Sequence, residues 1–496
     1  MASSADTIFA KSARGAGWGL AWRLATRSMG LGSTLVLVRV LSPADFGLVA
    51  LASGIAGAVE QFGWIGVEAA IVREKAPERA VYDTGFTLNL ARSLALAAGI
   101  AALSGPAAAF FGEPRLQTVL LFLAAASAVM GAENIGVVEF RRAFAFDREF
   151  RYLIVPRLLS IGLAIGAALA FRSYWALVVG IVSGRVLRVI ASYVMHPFRP
   201  RLSLGGWRVL AGPSSWMWLL GLASLLRDRA DTLVIGRSMS AAAVGVYTIG
   251  FDFAALTFTE LVEAMQRPAF SGFVAARHEG QALAAPLLRM LASACLLSLP
   301  VCVGMSLVAG PVIGLVAGPR WGEAVPVVQV LALAGVMVVV GTLCRTLLTA
   351  TGRFRTIAAI TLGVGALRIA ALLAAIPLLG LRGAALAAGA TMALEGLVFA
   401  AVVMREERIG LGAALGPLWR PGVAAGAMAL GLWAAGLGWS GAAGLGALLL
   451  AVSAGAAIYA GVLFSLWGAC GRPAGAETDA LGVIRKALRR HPFSRP

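Results

Sequence analysis

Two arginines open the chemistry of this chain. Arg23 and Arg27 stand four residues apart in an otherwise apolar stretch, so on a helix they share one face. In a helix starting near residue 16, Arg27 would lie about 16 Å in, near the middle of a bilayer. No acidic residue accompanies the pair within that stretch. Guanidinium groups stay charged and fork onto phosphate or carboxylate oxygens. The pair can therefore hold an anion, or it can pair with Glu60 or Glu68 in the next apolar segment. A second cluster is Arg227-Asp228-Arg229-Ala230-Asp231. Arg227 and Asp231 have i,i+4 spacing and are read as a structural ion pair. Arg229 points about 200° away from Arg227 and is read as facing a cavity. A third set, Thr248, Asp252, Thr259 and Glu263, falls within about 60° on one helix face. Such a stripe suits a hydroxyl-rich ligand, or a carboxylate that takes up H⁺ or Na⁺. Glu263, beside Gln266 and Arg267, reads as a group at the membrane surface.

These groups need elements to carry them. The chain has 496 residues, 59% of them apolar and only 13% charged. That composition excludes a soluble globular domain, a disordered chain and a coiled coil. Apolar segments fall at roughly 16–38, 44–70, 82–104, 116–138, 153–171, 175–195, 213–236, 241–265, 288–309, 325–347, 356–377, 383–404, 421–437 and 443–467. Lipid offers the backbone no hydrogen-bond partners, so segments of this length must be helices. The expected fold class is all-α and polytopic, with about 14 transmembrane helices.

The formal charge is +18, with 42 Lys+Arg against 24 Asp+Glu. With the N-terminus placed inside, alternate loops hold twenty-six basic residues inside and six outside. This bias orients membrane proteins, and it accounts for the basic excess without nucleic acid. The chain also repeats. RVLSPADFGLVA (39–50) aligns with RSMSAAAVGVYT (237–248), matching Arg39 to Arg237, Ser42 to Ser240 and Gly47 to Gly245. Six helices per copy place both copies in the same orientation, as parallel repeats. The expected organisation is a six-helix lobe over 1–200, a second over 201–410, two extra helices over 411–470 and a basic cytoplasmic tail over 471–496.

LVRVLSPADFGLVAL (37–51) and QFGWIGVEAAIVRE (61–74) resemble the opening of bacterial polysaccharide-unit flippases. DTLVIG (231–236), GVYTIG (245–250) and GPRWGEAVPVVQVLALAG (318–335) resemble later helices of the same group. The chain is similar, over about 11–405, to the multidrug/oligosaccharidyl-lipid/polysaccharide exporters. The resemblance implies two lobes around a cavity. It also implies flipping of a polyprenyl-pyrophosphate-linked oligosaccharide across the inner membrane, for capsule, exopolysaccharide or O-antigen (lipopolysaccharide) synthesis, by alternating access. On that basis Arg23, Arg27 and Arg229 are expected to bind pyrophosphate. Glu60, Glu68, Thr248, Asp252 and Thr259 are expected to serve substrate or ion coupling. A polysaccharide polymerase and other assembly proteins are expected partners. A cation-coupled multidrug exporter and a non-transporting scaffold for cell-wall synthesis remain alternatives.

The four cysteines show no metal-binding spacing. The three histidines, His196, His278 and His491, fall in polar segments with no hydrolase-like arrangement. No enzyme activity, metal or cofactor is expected, apart from coupling to H⁺ or Na⁺.

Overall fold

The computed structural model describes residues 4–61, 67–74, 77–206, 227, 229–439, 444–473, 475–479 and 481–482. Among them every regular element is helical. The chain divides into two compact units, Met1–Leu225 with Met239–Gly245, and Leu226–Ser238 with Val246–Pro496. Most of the expected span 213–236, and the tail beyond residue 482, lie outside the described residues.

The first unit comprises α1 (Ser4–Val40), α2 (Pro43–Gln61), α3 (Val67–Arg73), α4 (Arg79–Phe111), α5 (Arg115–Met130), α6 (Glu139–Arg142), α7 (Phe146–Phe171) and α8 (Trp175–Met195). Sequence predicts one straight span over 116–138. Instead α5 ends at Met130, and the chain turns by 69° into the pair Ile135–Arg142. Asn134 causes the turn, because its side chain accepts the Gly136 N–H and caps the 3₁₀ turn Ile135–Val138.

The second unit begins with a helix whose described part is 227 and 229–238. It continues with α9 (Ala241–His278), α10 (Ala284–Val316), α11 (Ala324–Ala350), α12 (Phe354–Glu406), α13 (Leu411–Leu415), α14 (Trp419–Ala434) and α15 (Leu445–Ala469). The first residues of α9, to Gly245, belong to the first unit. Two spans are expected over 356–404, and α12 is two helical segments broken at Gly380 (φ 58°, ψ −135°). Only glycine takes that conformation without strain. The chain turns back so closely there that a Cβ on Gly383 would lie 2.2 Å from the Ala375 carbonyl oxygen.

Nine described helices are long and apolar enough to cross a membrane, or ten if the bent pair is one span. The chain is a multi-pass membrane protein, and fourteen spans are compatible with these elements. Gly47 and Gly245, matched by the repeat, meet back to back within the first unit. A Cβ on Gly47 would lie 1.5 Å from the Ala241 oxygen, and one on Gly245 would lie 1.9 Å from the Pro43 oxygen. The contact is reciprocal, since Pro43 and Ala241 each precede their glycine by four residues.

Candidate functional site

The second unit holds a half-open cavity of about 600 Å³. Its walls come from the helix around Arg227–Asp231, from α9, from α11 and from both segments of α12. Arg227, Arg229, Arg345 and Arg368 line it, with Asp231, Glu263 and Glu395. Phe251, Phe258 and Phe399 add apolar faces, and Thr259, Thr342 and Gln266 add hydrogen-bonding groups. Small residues let the helices close around it. Gly341 on α11 packs against Gly396 on α12, where a Cβ on Gly341 would stand 2.7 Å from the Gly396 Cα.

One ion pair is built into the cavity wall. Arg368 Nε donates to Asp231 Oδ1 at 2.6 Å, and Arg368 Nη2 donates to Oδ2. The Tyr247 hydroxyl donates to Oδ2 as well, at 2.5 Å. Asp231, Arg368 and Tyr247 are all buried. Two charges in apolar surroundings survive only when each is neutralised and hydrogen-bonded, and a bidentate fork does both. Both oxygens of Asp231 accept from Arg368, far along the chain, whereas i,i+4 spacing named only Arg227. Local periodicity reports only partners on the same helix. Elsewhere in the unit, Arg420 and Glu477 form a second buried pair at 3.1 Å. It ties the segment after α15 to the start of α14.

In the first unit the carboxylates also have arginine partners, but in more open settings. Arg185 on α8 lies 3.0 Å from Glu60 on α2. Ser127 on α5 donates to the same Glu60 oxygen at 2.6 Å and accepts from Arg185 at 2.5 Å. One turn further along α8, Arg188 pairs at 3.2 Å with Glu133, which also takes the Tyr152 hydroxyl. Glu68 pairs with Arg141 at 3.0 Å, and both side chains are nearly half exposed. Arg23 and Arg27 are half-buried on α1. The Arg157 guanidinium of α7 reaches the same stretch of α1, 3.5 Å from where a Cβ on Gly30 would stand.

The structure therefore brings Arg227, Arg229, Asp231, Thr259 and Glu263 to one cavity. Thr248 and the exposed Asp252, on the same helix, lie outside its lining among the described residues. Glu60 and Glu68 have arginine partners other than Arg23 and Arg27. Sequence reasoning passed over Arg345, Arg368, Glu395, Arg185 and Arg188 as sites. For Arg185 and Arg188 a signal was present, since two arginines at i,i+3 in an apolar span share a face. Asp228 lies outside the described residues.

Fold and cavity together define an all-helical, multi-pass membrane protein with an arginine-rich internal site. Residues 36–326 match the family described as "Polysaccharide biosynthesis protein", and the chain belongs to that family. It is 23% identical over 331 residues to the succinoglycan biosynthesis transport protein ExoT of Rhizobium meliloti, covering 66% of this chain and 67% of that one. It is 20% identical over 351 residues to the lipopolysaccharide biosynthesis protein WzxC of Escherichia coli, covering 69% and 70%. Among solved structures, the lipid II flippase MurJ in an inward closed conformation superposes with a TM-score of 0.71. That match has 12% identity and covers 91% of this chain and all of MurJ. An inward-facing multidrug resistance transporter of the MATE family superposes with a TM-score of 0.55 at 16% identity, covering 77% and 94%. Both show the fold.

Proposed function

We propose that the protein flips a polyprenyl-diphosphate-linked oligosaccharide across the bacterial inner membrane, by alternating access, for polysaccharide synthesis. The observation that carries this reading is the cavity of the second unit, where four arginines stand against three carboxylates in a membrane-spanning fold. A cationic wall suits an anionic head group and opposes a cationic drug. At about 600 Å³, the cavity has the size of a small-molecule site. It holds a diphosphate and its neighbouring sugar while the isoprenoid chain stays in lipid. The phenylalanines offer apolar faces to sugar C–H groups, and Thr259, Thr342 and Gln266 offer hydrogen bonds to hydroxyls. Membership of a polysaccharide biosynthesis family and the names of ExoT and WzxC support the substrate class. Arg23 and Arg27 are assigned a diphosphate contact in the first unit. The protein acts as a transporter, with no bond made or broken, and delivers its product to a polymerase.

The test uses the purified chain in proteoliposomes with a fluorescent polyprenyl-diphosphate disaccharide. Arrival in the opposite leaflet is read by an impermeant glycosidase. Wild type is expected to transport it, Arg229→Ala and Arg345→Ala to lose more than ~10-fold, and the phosphate-free analogue to stay behind. Transport of a lipophilic cation in place of the glycolipid would establish the multidrug reading instead. Transport of neither would leave a scaffold. Collapsing the H⁺ or Na⁺ gradient separately identifies any coupling ion. Orientation is read in cells with an impermeant thiol reagent. Glu113→Cys and Gly438→Cys are expected to label from outside, and Arg408→Cys is not, as both termini are assigned to the cytoplasm.

A further inference from the structure

The connection leaving α8 is the covalent link towards the second six-helix repeat; it runs without regular secondary structure from His196 to Leu204 and turns at Gly205–Gly206. Outside helix or sheet the backbone N–H and C=O groups have no ladder to pair with, so they must be satisfied one by one. Here the first unit satisfies them with side chains. The Arg201 N–H donates to Asp83 Oδ1, the Ser203 N–H to Thr87 Oγ1 and the Gly206 N–H to Thr84 Oγ1, each at 2.9 Å. All three acceptors stand within five residues of α4, and Asp83 and Thr84 are buried. On the carbonyl side, Asn134 Nδ2 donates to the Phe198 oxygen at 2.7 Å, and Arg79 donates to the Arg199 oxygen at 3.0 Å. Asn134 is fully buried. The Phe198 ring packs on the cluster of Val67, Ile71, Val81, Tyr82, Phe86, Ile135 and Val138. Two glycines allow the close approach. A Cβ on Gly136 would meet His196 Nδ1 at 2.4 Å, and one on Gly206 would meet the Val81 Cα at 2.9 Å.

We propose that this segment is a fixed strap. His196–Gly206 is anchored to α4 and the Asn134 turn throughout the transport cycle, and it moves as part of the first unit rather than acting as a gate that must detach. The argument is one of number and burial. Five backbone groups, a buried asparagine and an aromatic plug hold eleven residues. Each hydrogen bond adds to the hold, and each buried acceptor left unpaired would bear its full desolvation cost. Detaching the strap would strip several at once.

The activity readout rests on the transport reading above, whereas cross-linking and proteolysis report the strap directly. A Cβ on Gly205 would stand 3.9 Å from Ala80 Cβ, inside the range of about 3.5–4.5 Å for a disulfide. With the exposed Cys470 replaced by Ser, Ala80→Cys/Gly205→Cys is expected to cross-link fully and to transport within about twofold of its reduced form. Loss of transport on cross-linking, restored by reduction, would show that the strap must release and would overturn the proposal. Because Arg199 precedes Pro200, the Arg201–Leu202 bond is the strap's own tryptic site. In inside-out vesicles it is expected to resist trypsin in the wild type and to be cut in Asp83→Ala/Thr84→Ala/Thr87→Ala, with transport reduced at least ~3-fold. Rapid cleavage of the wild type, or a triple variant as protected and as active as wild type, would equally refute anchoring. Failure of the wild type to transport any glycolipid counts against the functional reading and leaves the strap to the proteolysis result.

Discussion

The two units handle charge in opposite ways. In the second, Asp231 and Arg368 are sealed together, bidentate and capped by Tyr247, with about a tenth of either side chain exposed or less. In the first, Glu60 and Arg185 keep 35% and 24% of their side chains exposed, and Glu68 and Arg141 nearly half. A sealed pair is a structural fixture, since its desolvation has been met and neither member can leave without stranding the other. The second unit thus fixes one sealed charge pair in its cavity wall, and the first leaves its pairs more exposed.

Four perturbations probe this contrast. Asp231→Ala is the most damaging expected change, because it strands the buried Arg368 cation without its carboxylate, at about 3–5 kcal/mol. The thermal midpoint of the purified protein should drop sharply, and Asp231→Leu/Arg368→Met should recover most of the loss. If the double variant is as unstable as the single, the pair is not the closed unit described. Arg185→Ala comes next. It should cost roughly 1–3 kcal/mol, the range of hydrogen bonds to a charged group, and lower transport more than stability. A stability loss equal to that of Arg368→Ala would erase the difference between the units. Glu68→Gln should shift the midpoint by less than about 1 kcal/mol, as exposed pairs do. The smallest effect is one of pH. Burial holds His196 below its usual value of 6.5, with Glu139, Arg199 and Arg148 as its charged neighbours. Its neutral Nδ1 accepts the Phe198 N–H at 3.2 Å. A lowered imidazole pKa means the unfolded chain binds more protons, so this contribution is intact above pH 6.5 and fades as pH falls. Tryptic cutting at Arg201 should rise modestly from pH 7.5 to 5.5 in the wild type and stay flat in His196→Gln.

Helix positions were legible in the sequence because lipid leaves a long apolar segment one conformation. The break between the two segments of α12 could be read from Pro377, Gly380 and Arg382. The turn at Asn134 was not, because its cause is a cap inside a segment that stays apolar throughout. Of the cavity lining, Arg229 and Thr259 were singled out, since a charge or hydroxyl in an apolar helix announces itself, whereas Glu263 was read as a surface group. The partner of Asp231 was not, because Arg368 comes from a helix 137 residues away and no local spacing encodes that meeting. The strap lay beyond sequence reading for a similar reason. Its acceptors on α4 are 116–122 residues upstream, and its donors are backbone groups that every residue but proline carries.

The meeting of Gly47 and Gly245 has a steric meaning. Ordinary helix packing interleaves side chains, which must withdraw from one another's rotamer wells before the helices can separate. At this crossing, backbone lies on backbone, and the blocking atoms are the carbonyls of Pro43 and Ala241. Even a methyl group at either glycine would push the two backbones apart, and because the contact is reciprocal the same restriction falls on both positions of the repeat.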